Sequence, residues 1–286
     1  MRRALIVGGD GVFGRALRSA LAAHGLTVQS TSRRSSDGDA LFLDLAIDPL
    51  GWVPQDRPDI VFLCAAVTNM AECARDPVGS RTINVVHTLT LVRTLAALGS
   101  RIVYPSTNLV LAGASPFQRA DAPVRPLGEY AAQKAEVENA LRPLGDKAVV
   151  LRMTKVISPA SPLVSGWVEA LRSGRPIRPF SDQVLAPIPL AGLVDAFVKA
   201  GLEGDGGIYQ VTGAEDISYA EFAARIAARF GYPAGLVKPA PAAELGIRLE
   251  AQPRYTTLDP TRARRDLGIS PFELDETLTR MILDAS

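Results

Sequence analysis

The 286-residue chain predicts an α/β protein: a doubly wound parallel sheet with helices on both faces, followed by a smaller, discontinuous C-terminal lobe. Three observations predict it. Through the first half, short and uninterrupted apolar runs alternate with stretches of helical periodicity, as strands covered on both faces and joined by right-handed crossovers do. A glycine-rich turn separates the first apolar run from the first helical stretch. Beyond Arg152, prolines interrupt the pattern.

Ala4-Leu5-Ile6-Val7 reads as the first strand, and Val12 to His24 as a helix stopped by Gly25. Thr27 to Ser32 is the second strand and Ile60 to Leu63 the third, ending at Cys64-Ala65-Ala66. One long helix is expected from about Val78 to Leu98, closed by Gly99. Arg101 to Tyr104 is the next strand, Gly128 to Leu141 a helix, and Val149 to Leu151 a further strand. Residues 156–189 carry Pro159, Pro162, Pro176, Pro179, Pro187 and Pro189, so long elements are not expected there. Leu190 to Leu202 then reads as a helix, Gly207 to Val211 as a strand, and Ser218 to Phe230 as a helix capped by Ser218. Pro233 to Pro253, rich in Ala and Pro, reads as a connection. The domain boundary is therefore placed at residue 155, with the first domain (1–155) completed by the helix near 190–203 and the second lobe drawn mainly from 156–286.

Composition narrows the class. Hydrophobic residues at 47% and charged residues at 21% belong to an ordinary globular chain. With 31 basic and 30 acidic residues spread along it, the chain offers no field for nucleic acid or an anionic membrane. No stretch approaches the ~20 apolar residues that span a bilayer. The run Ala4 to Val7 after Arg2-Arg3 is too short for a secretory h-region. Cys64 and Cys73 fit neither a disulfide framework nor a zinc spacing, and His24 and His87 have no second ligand at metal spacing. No metal is expected, and a reducing, cytoplasmic setting is. Trp52 and Trp167 read as packing residues, and Arg262, Arg264 and Arg265 as a solvated helix face.

Gly8-Gly9-Asp10-Gly11-Val12-Phe13-Gly14 stands directly after the first strand and opens the first helix. Residues without side chains let the backbone turn tightly and bring a pyrophosphate to the positive helix N-terminus. The spacing of Gly8, Gly11 and Gly14 is G-x-x-G-x-x-G. Such a turn can also serve only to pack helix on strand, but its place after strand one favours a Rossmann-like dinucleotide site. The end of the second strand refines the choice. NAD binders usually carry a carboxylate there, whereas Thr31-Ser32 is followed by Arg33-Arg34, with no carboxylate before Asp37. Two guanidiniums beside a hydroxyl suit a 2′-phosphate, which favours NADPH over NADH.

Tyr130-Ala131-Ala132-Gln133-Lys134 places a phenol and an ammonium at i and i+4 on one helix face. A phenol of pKa about 10 is a poor acid near neutrality, and a nearby ammonium is expected to lower that value. The same ammonium can hydrogen-bond a nicotinamide ribose. Upstream, Ser106-Thr107-Asn108 ends a parallel strand, where ligands of open α/β sheets sit. Ser106 and Thr107 both qualify as donors to a carbonyl oxygen on which charge develops.

On these motifs the chain resembles the extended short-chain dehydrogenase/reductase superfamily, and within it the dTDP-4-dehydrorhamnose reductase family. That family carries Ser-Thr-Asp at the strand end, matched by Ser106-Thr107-Asn108. Its Ala-Ala-x-Thr motif is matched by Ala65-Ala66-Val67-Thr68, and its Asn in the next helix by Asn84. An Asp-Gln segment resembles Asp182-Gln183, and an Arg-x-x-x-Leu-Asp segment resembles Arg254 to Asp259. The resemblance implies Tyr130 as proton donor, Lys134 as its activator and Thr107 as carbonyl partner. It implies that Gly11, Val12 and Phe13 line the pyrophosphate; Gly8 and Gly14 of the same turn, and Ser32, Arg33 and Arg34 at the end of the second strand, complete the expected cofactor-binding residues. Asp44 and Leu45 would border the adenine and Ala65, Ala66 and Val67 the ribose. Thr68, Thr107, Asn108 and Lys155 would face a nucleotide-sugar substrate. Three positions depart from the family pattern: Asn108 replaces Asp, Lys155 stands where Trp is common, and Ala71 replaces a usual Asp. The implied activity is NADPH-dependent reduction of a nucleotide-linked 4-keto-6-deoxy sugar, with a homodimer left open. A nucleotide-sugar epimerase or dehydratase of the same superfamily, and a non-catalytic NADP-binding regulatory subunit, are the alternatives.

Overall fold

The computed structural model describes residues 2–34, 39–246 and 252–283. Its first elements are β1 (Arg3–Val7), α1 (Val12–Ala23), β2 (Thr27–Ser32), β3 (Leu41–Phe42) and β4 (Ile60–Leu63). Next come α2 (Met70–Arg75), α3 (Pro77–Arg81), a π-helical turn (Thr82–His87), α4 (Thr88–Ala97), β5 (Arg101–Thr107), α5 (Glu129–Leu141) and β6 (Ala148–Met153). The remainder is β7 (Lys155–Ile157), α6 (Pro162–Arg172), β8 (Val184–Leu185), β9 (Pro187–Pro189), α7 (Leu190–Glu203) and β10 (Gly207–Val211). It closes with β11 (Ile217–Ser218), α8 (Tyr219–Arg229), α9 (Thr261–Leu267) and α10 (Leu274–Leu283).

Among the described residues, seven parallel strands form the main sheet in the order β10-β6-β5-β4-β1-β2-β3. The winding direction reverses between β1 and β4, which opens a crevice at their C-terminal ends. Strand alternation divides the core into two layers. Ile6, Phe62 and Val103 pack with Leu17 of α1 and Phe197 of α7, while Leu5, Val61 and Ile102 pack with Leu91 of α4 and Val137 of α5. Both faces are covered, which is why these strands read as unbroken apolar runs. From beyond residue 155, α7 packs on α1 and β10 pairs with β6, so both complete this sheet. No helix among the described residues is long and apolar enough to cross a membrane.

Two expectations need correction, and a third holds with one local irregularity. The long helix over 78–98 is continuous: Asp76 caps its start through Gly79 N–H (2.9 Å), and a π turn carries α3 into α4 without leaving helical backbone. From the first residue of α4, the Thr88 hydroxyl donates back to the Ile83 carbonyl of that turn (2.9 Å). The proline-rich segment does hold a helix of 11 residues, α6, because Pro162 occupies its first turn, where a missing N–H costs nothing. Of the three clustered arginines, Arg262 is not on a solvated face. It lies 4.2 Å from the Tyr209 ring centroid and donates to the Ile208 carbonyl (3.1 Å).

The second lobe gathers Val164 of α6, Phe222 and Ile226 of α8 and Leu278 of α10 into its own core. Its return segment is pinned by Asp216, whose carboxylate accepts from Thr256 Oγ1 (2.6 Å) and Thr257 Oγ1 (2.7 Å). Leu258 N–H then donates to Thr212 Oγ1 (3.1 Å), just past the end of β10.

Candidate active site

The three glycines of the first turn have different jobs. Gly8 has φ +85°, and a Cβ on it would stand 2.8 Å from the Ala65 nitrogen. A Cβ on Gly14 would lie 2.4 Å from the Gly8 carbonyl oxygen. These two let α1 and the end of β4 close on the turn. Gly11 is exposed, and the nearest atom to its would-be Cβ is the Gly8 oxygen at 3.7 Å. It is the N-cap of α1, with no side-chain cap and no acidic residue in the first turn. The first-turn N–H groups of Val12, Phe13 and Gly14 therefore keep their positive end available to an anion. A dinucleotide diphosphate fits this cradle. The Phe13 ring packs edge-on against Phe197 (4.8 Å), so its contribution to such a site is its backbone. A groove of about 390 Å³ runs beside the same helix, lined by Val12, Ala16, Ser158, Pro159, Leu190 and Val194.

The neighbouring strand ends fill out the crevice. Gly8 N–H donates to Thr31 Oγ1 (3.1 Å), which ties the turn to β2. Ser32 Oγ accepts from Arg34 N–H (3.0 Å), and Arg33 and Arg34 are exposed just beyond; Asp37 lies outside the described residues. Asp44 folds back on Ala46 N–H (2.9 Å), and the Leu45 carbonyl pairs with His87 Nδ1 (2.7 Å) in the π turn. Ala65, Ala66 and Val67 are half-buried past β4, and Thr68 is exposed.

Val67 is clamped on both sides of its Cα, at its N–H and at its carbonyl. Asn84 Oδ1 accepts from Val67 N–H (2.8 Å) and its Nδ2 donates to the Val67 carbonyl (2.9 Å). Asn84 Nδ2 also reaches Gln133 Oε1 (2.7 Å), and Gln133 Nε2 reaches Ser80 Oγ (2.8 Å). The wide π turn thus presents a buried amide that couples Val67 to α5, a use in keeping with where such turns occur.

On α5, Lys134 is buried and donates to the Pro105 carbonyl (2.9 Å). Its ammonium lies 4.6 Å from the Tyr104 ring centroid and 5.7 Å from that of Tyr130. Burial lowers its pKa to about 8, against the pull of Cys64, Glu138 and Cys73. The Tyr130 phenol is pushed up, by burial first and then by Cys73. The expected depression of the phenol by Lys134 is therefore not what this geometry gives: desolvation wins, and the ammonium meets ring faces. The Cys64 thiol is itself pushed up to about 12 by burial, which leaves it protonated and inert.

At the end of β5, Ser106 and Thr107 part company. Ser106 donates to Glu138 of α5, whose carboxylate pairs with Arg152 of β6 (2.7 Å). Thr107 falls on the opposite side of the strand, where its Oγ1 accepts from Leu109 N–H (3.2 Å). Asn108 begins a short 3-10 turn. Lys155 stands on β7 as an exposed residue, and desolvation lowers the pKa of its ammonium.

Thus Gly11, Ala65 to Val67, Thr107 and the Tyr130–Lys134 helix gather at the C-terminal edge of β1, β4 and β5, with Arg33 and Arg34 one strand out at β2. Three buried residues escaped the sequence reading: Gln133, Glu138 and Arg152. The signals were there, since Glu138 is four residues past Lys134 and Arg152 closes an otherwise apolar run.

Comparison with known proteins places this geometry. The family described as RmlD substrate binding domain matches residues 1–286. The dTDP-4-dehydrorhamnose reductase of Streptomyces griseus is 27% identical over 282 residues, covering 94% of this chain and 89% of that protein. The UDP-glucose 4-epimerase of Mycolicibacterium smegmatis is 30% identical over 240 residues, covering 78% and 74%. Among known structures, the dTDP-4-dehydrorhamnose reductase of Bacillus anthracis in complex with NADP shares the fold, with a TM-score of 0.87 over 99% of both chains at 22% identity. The chain belongs to the RmlD substrate-binding-domain family, of the dTDP-4-dehydrorhamnose reductase type, within the extended short-chain dehydrogenase/reductase superfamily of NAD(P)-dependent oxidoreductases.

Proposed function

We propose that this protein is a cytoplasmic reductase that uses NADPH to reduce the keto group of a nucleotide-linked 4-keto-6-deoxy sugar. One observation carries the reading: Tyr130, half-buried, and the buried Lys134 share a sheet edge with an uncapped glycine turn suited to a diphosphate. Bound NADPH supplies the hydride for the carbonyl carbon. Tyr130 supplies the proton to the carbonyl oxygen, and its high pKa keeps that proton in place until it is needed. Lys134 gives the charge that offsets the phenolate and holds the nicotinamide ribose. Thr107 donates to the carbonyl oxygen, while Thr68, Asn108 and Lys155 contact the sugar nucleotide. Residues 1–155 with α7 and β10 hold the cofactor, and the rest mainly clasps the substrate.

The deciding experiment is NADPH consumption with a panel of nucleotide-linked keto sugars. Turnover of a 4-keto-6-deoxy sugar is expected, and inactivity across the panel would refute the reading. The 30% identity to an epimerase gives the second reading. An epimerase keeps its cofactor through turnover, so mass analysis of the purified protein should find a tightly held dinucleotide if that reading is right and none if it is not.

Two further results are expected. Replacing Arg33 and Arg34 with Ala removes charge-assisted contacts worth roughly 1.5–3 kcal/mol, so NADPH affinity should fall about tenfold or more. NADH affinity should hardly change, and equal wild-type affinities for the two cofactors would count against a 2′-phosphate site there. The second concerns pH. Lys134 is a cation below about 8 and loses its charge above it in the free enzyme. Since kcat/KM reports the free enzyme, it should fall as pH rises through that value. At saturating NADPH the kcat limb should move to higher pH, because a bound anion favours the ammonium. A flat kcat/KM across this range would show that Lys134 is not the group in control.

A further inference from the structure

Glu138 forms a buried junction that the hydride-transfer roles leave unused. It is 5% exposed on α5, and its partner Arg152 on β6 is 1% exposed. Arg152 Nη2 donates to Glu138 Oε2 (2.7 Å) and Arg152 Nε reaches both carboxylate oxygens (3.1 and 3.2 Å). Ser106 donates to Glu138 Oε1 from the end of β5. Arg152 Nη1 goes on to the Ala120 carbonyl (3.0 Å), in the loop that leads into α5. One carboxylate thus joins α5, β5 and β6 on the helix that carries the proposed proton donor.

The same carboxylate stands one helical turn past Lys134. The titratable groups around that ammonium are Cys64 after β4, Cys73 of α2, Tyr104 of β5, and Tyr130 and Glu138 of α5. Both thiols are pushed up by burial, and the Tyr104 and Tyr130 phenols likewise, so all four stay neutral near neutrality. Glu138 is then the one anion in this set able to offset the cost of burying a cation.

We propose that Glu138 is a positioning residue of the hydride-transfer site: through one carboxylate it fixes the Tyr130–Lys134 helix on the end of β5 and keeps the Lys134 ammonium charged. The role rests on the function proposed above, but its test does not. The Lys134 side-chain nitrogen is titrated by NMR in the cofactor-free protein, with its signal identified by loss in Lys134→Met. Wild type should titrate near 8. Glu138→Gln keeps the shape, removes the charge and turns one of the two acceptor oxygens into a donor NH2, so the midpoint should drop by about half a pH unit or more. Arg152→Lys keeps the pair and should leave the midpoint in place.

Glu138→Gln strands a buried arginine and is expected to lower the melting temperature. The double variant Glu138→Gln with Arg152→Met has no unpaired buried charge, a change that proteins often tolerate. Its midpoint should be low as well, and the pH above which NADPH binding weakens should fall with it. An unmoved lysine midpoint in both variants would overturn the proposal and reduce Glu138 to a packing residue. If wild type failed to bind NADPH at all, the proposed reduction would fall, while the lysine titration would still decide the role of Glu138.

Discussion

Tyr130→Phe should lower turnover by ~10²–10⁴-fold, the usual contribution of a positioned general acid, while NADPH binding survives. The variant keeps the ring that lies 5.7 Å from the Lys134 ammonium and removes only the oxygen. Burial pushes the wild-type phenol above its ordinary range, so the hydroxyl carries its proton through neutral pH. The missing rate should therefore not return on acidification, as it would if a depressed phenol had been the issue. Lys134→Ala should damage both turnover and cofactor affinity, since one ammonium serves both. It also removes the hydrogen bond to the Pro105 carbonyl. Near wild-type turnover by Tyr130→Phe on the true substrate would end the proton-donor assignment, and steady-state kinetics with NADPH in excess is the measurement.

The second large effect is expected at Thr107. Thr107→Val preserves shape and removes one donor to a developing oxyanion, worth ~2.7–4 kcal/mol at the high end, hence up to 10²–10³-fold in turnover. Ser106→Ala should be mild by comparison. Its hydroxyl is turned to the other side of β5 and committed to Glu138, a carboxylate that keeps Arg152 as partner when the serine is gone. Asn108→Asp restores the carboxylate of the family pattern and should act on the KM for the sugar while sparing NADPH affinity. Should Ser106→Ala prove the crippled variant and Thr107→Val the mild one, the donor is Ser106 and the strand end reads one residue earlier than proposed.

The sheet was legible because its strands are covered on both faces: Ala4 to Val7 and Ile60 to Leu63 are apolar without a break and buried throughout. The glycine turn was legible because Gly8 and Gly14 are demanded by contacts that any side chain would violate. The π turn was not, since its apolar periodicity differs from that of an α-helix by a single residue and Asn84 looks like any polar residue on a helix. Helix α6 was hidden by counting prolines without asking where in a helix they would fall. The pKa logic of Tyr130 and Lys134 failed for a plainer reason. Spacing shows which charges are neighbours, and only the folded chain shows how much water they lose.

The π turn also sets what kind of change this part of the chain can absorb. Val86 lies in it and is exposed, so exchanging its side chain touches little. Deleting it is another matter, because the i→i+5 turn holds one residue more than an α-turn, and closing it to an α-turn re-aims the side chains it carries. Leu91, Val92 and Leu95 hold α4 to the sheet, so the change would fall on the segment before it. Ser80 and Asn84 would swing away from Gln133 and Val67 together, and the backbone now gripped at 2.8 and 2.9 Å would be released. Homologous exchange across this segment should therefore tolerate many side chains at position 86 but only one length for 82–87.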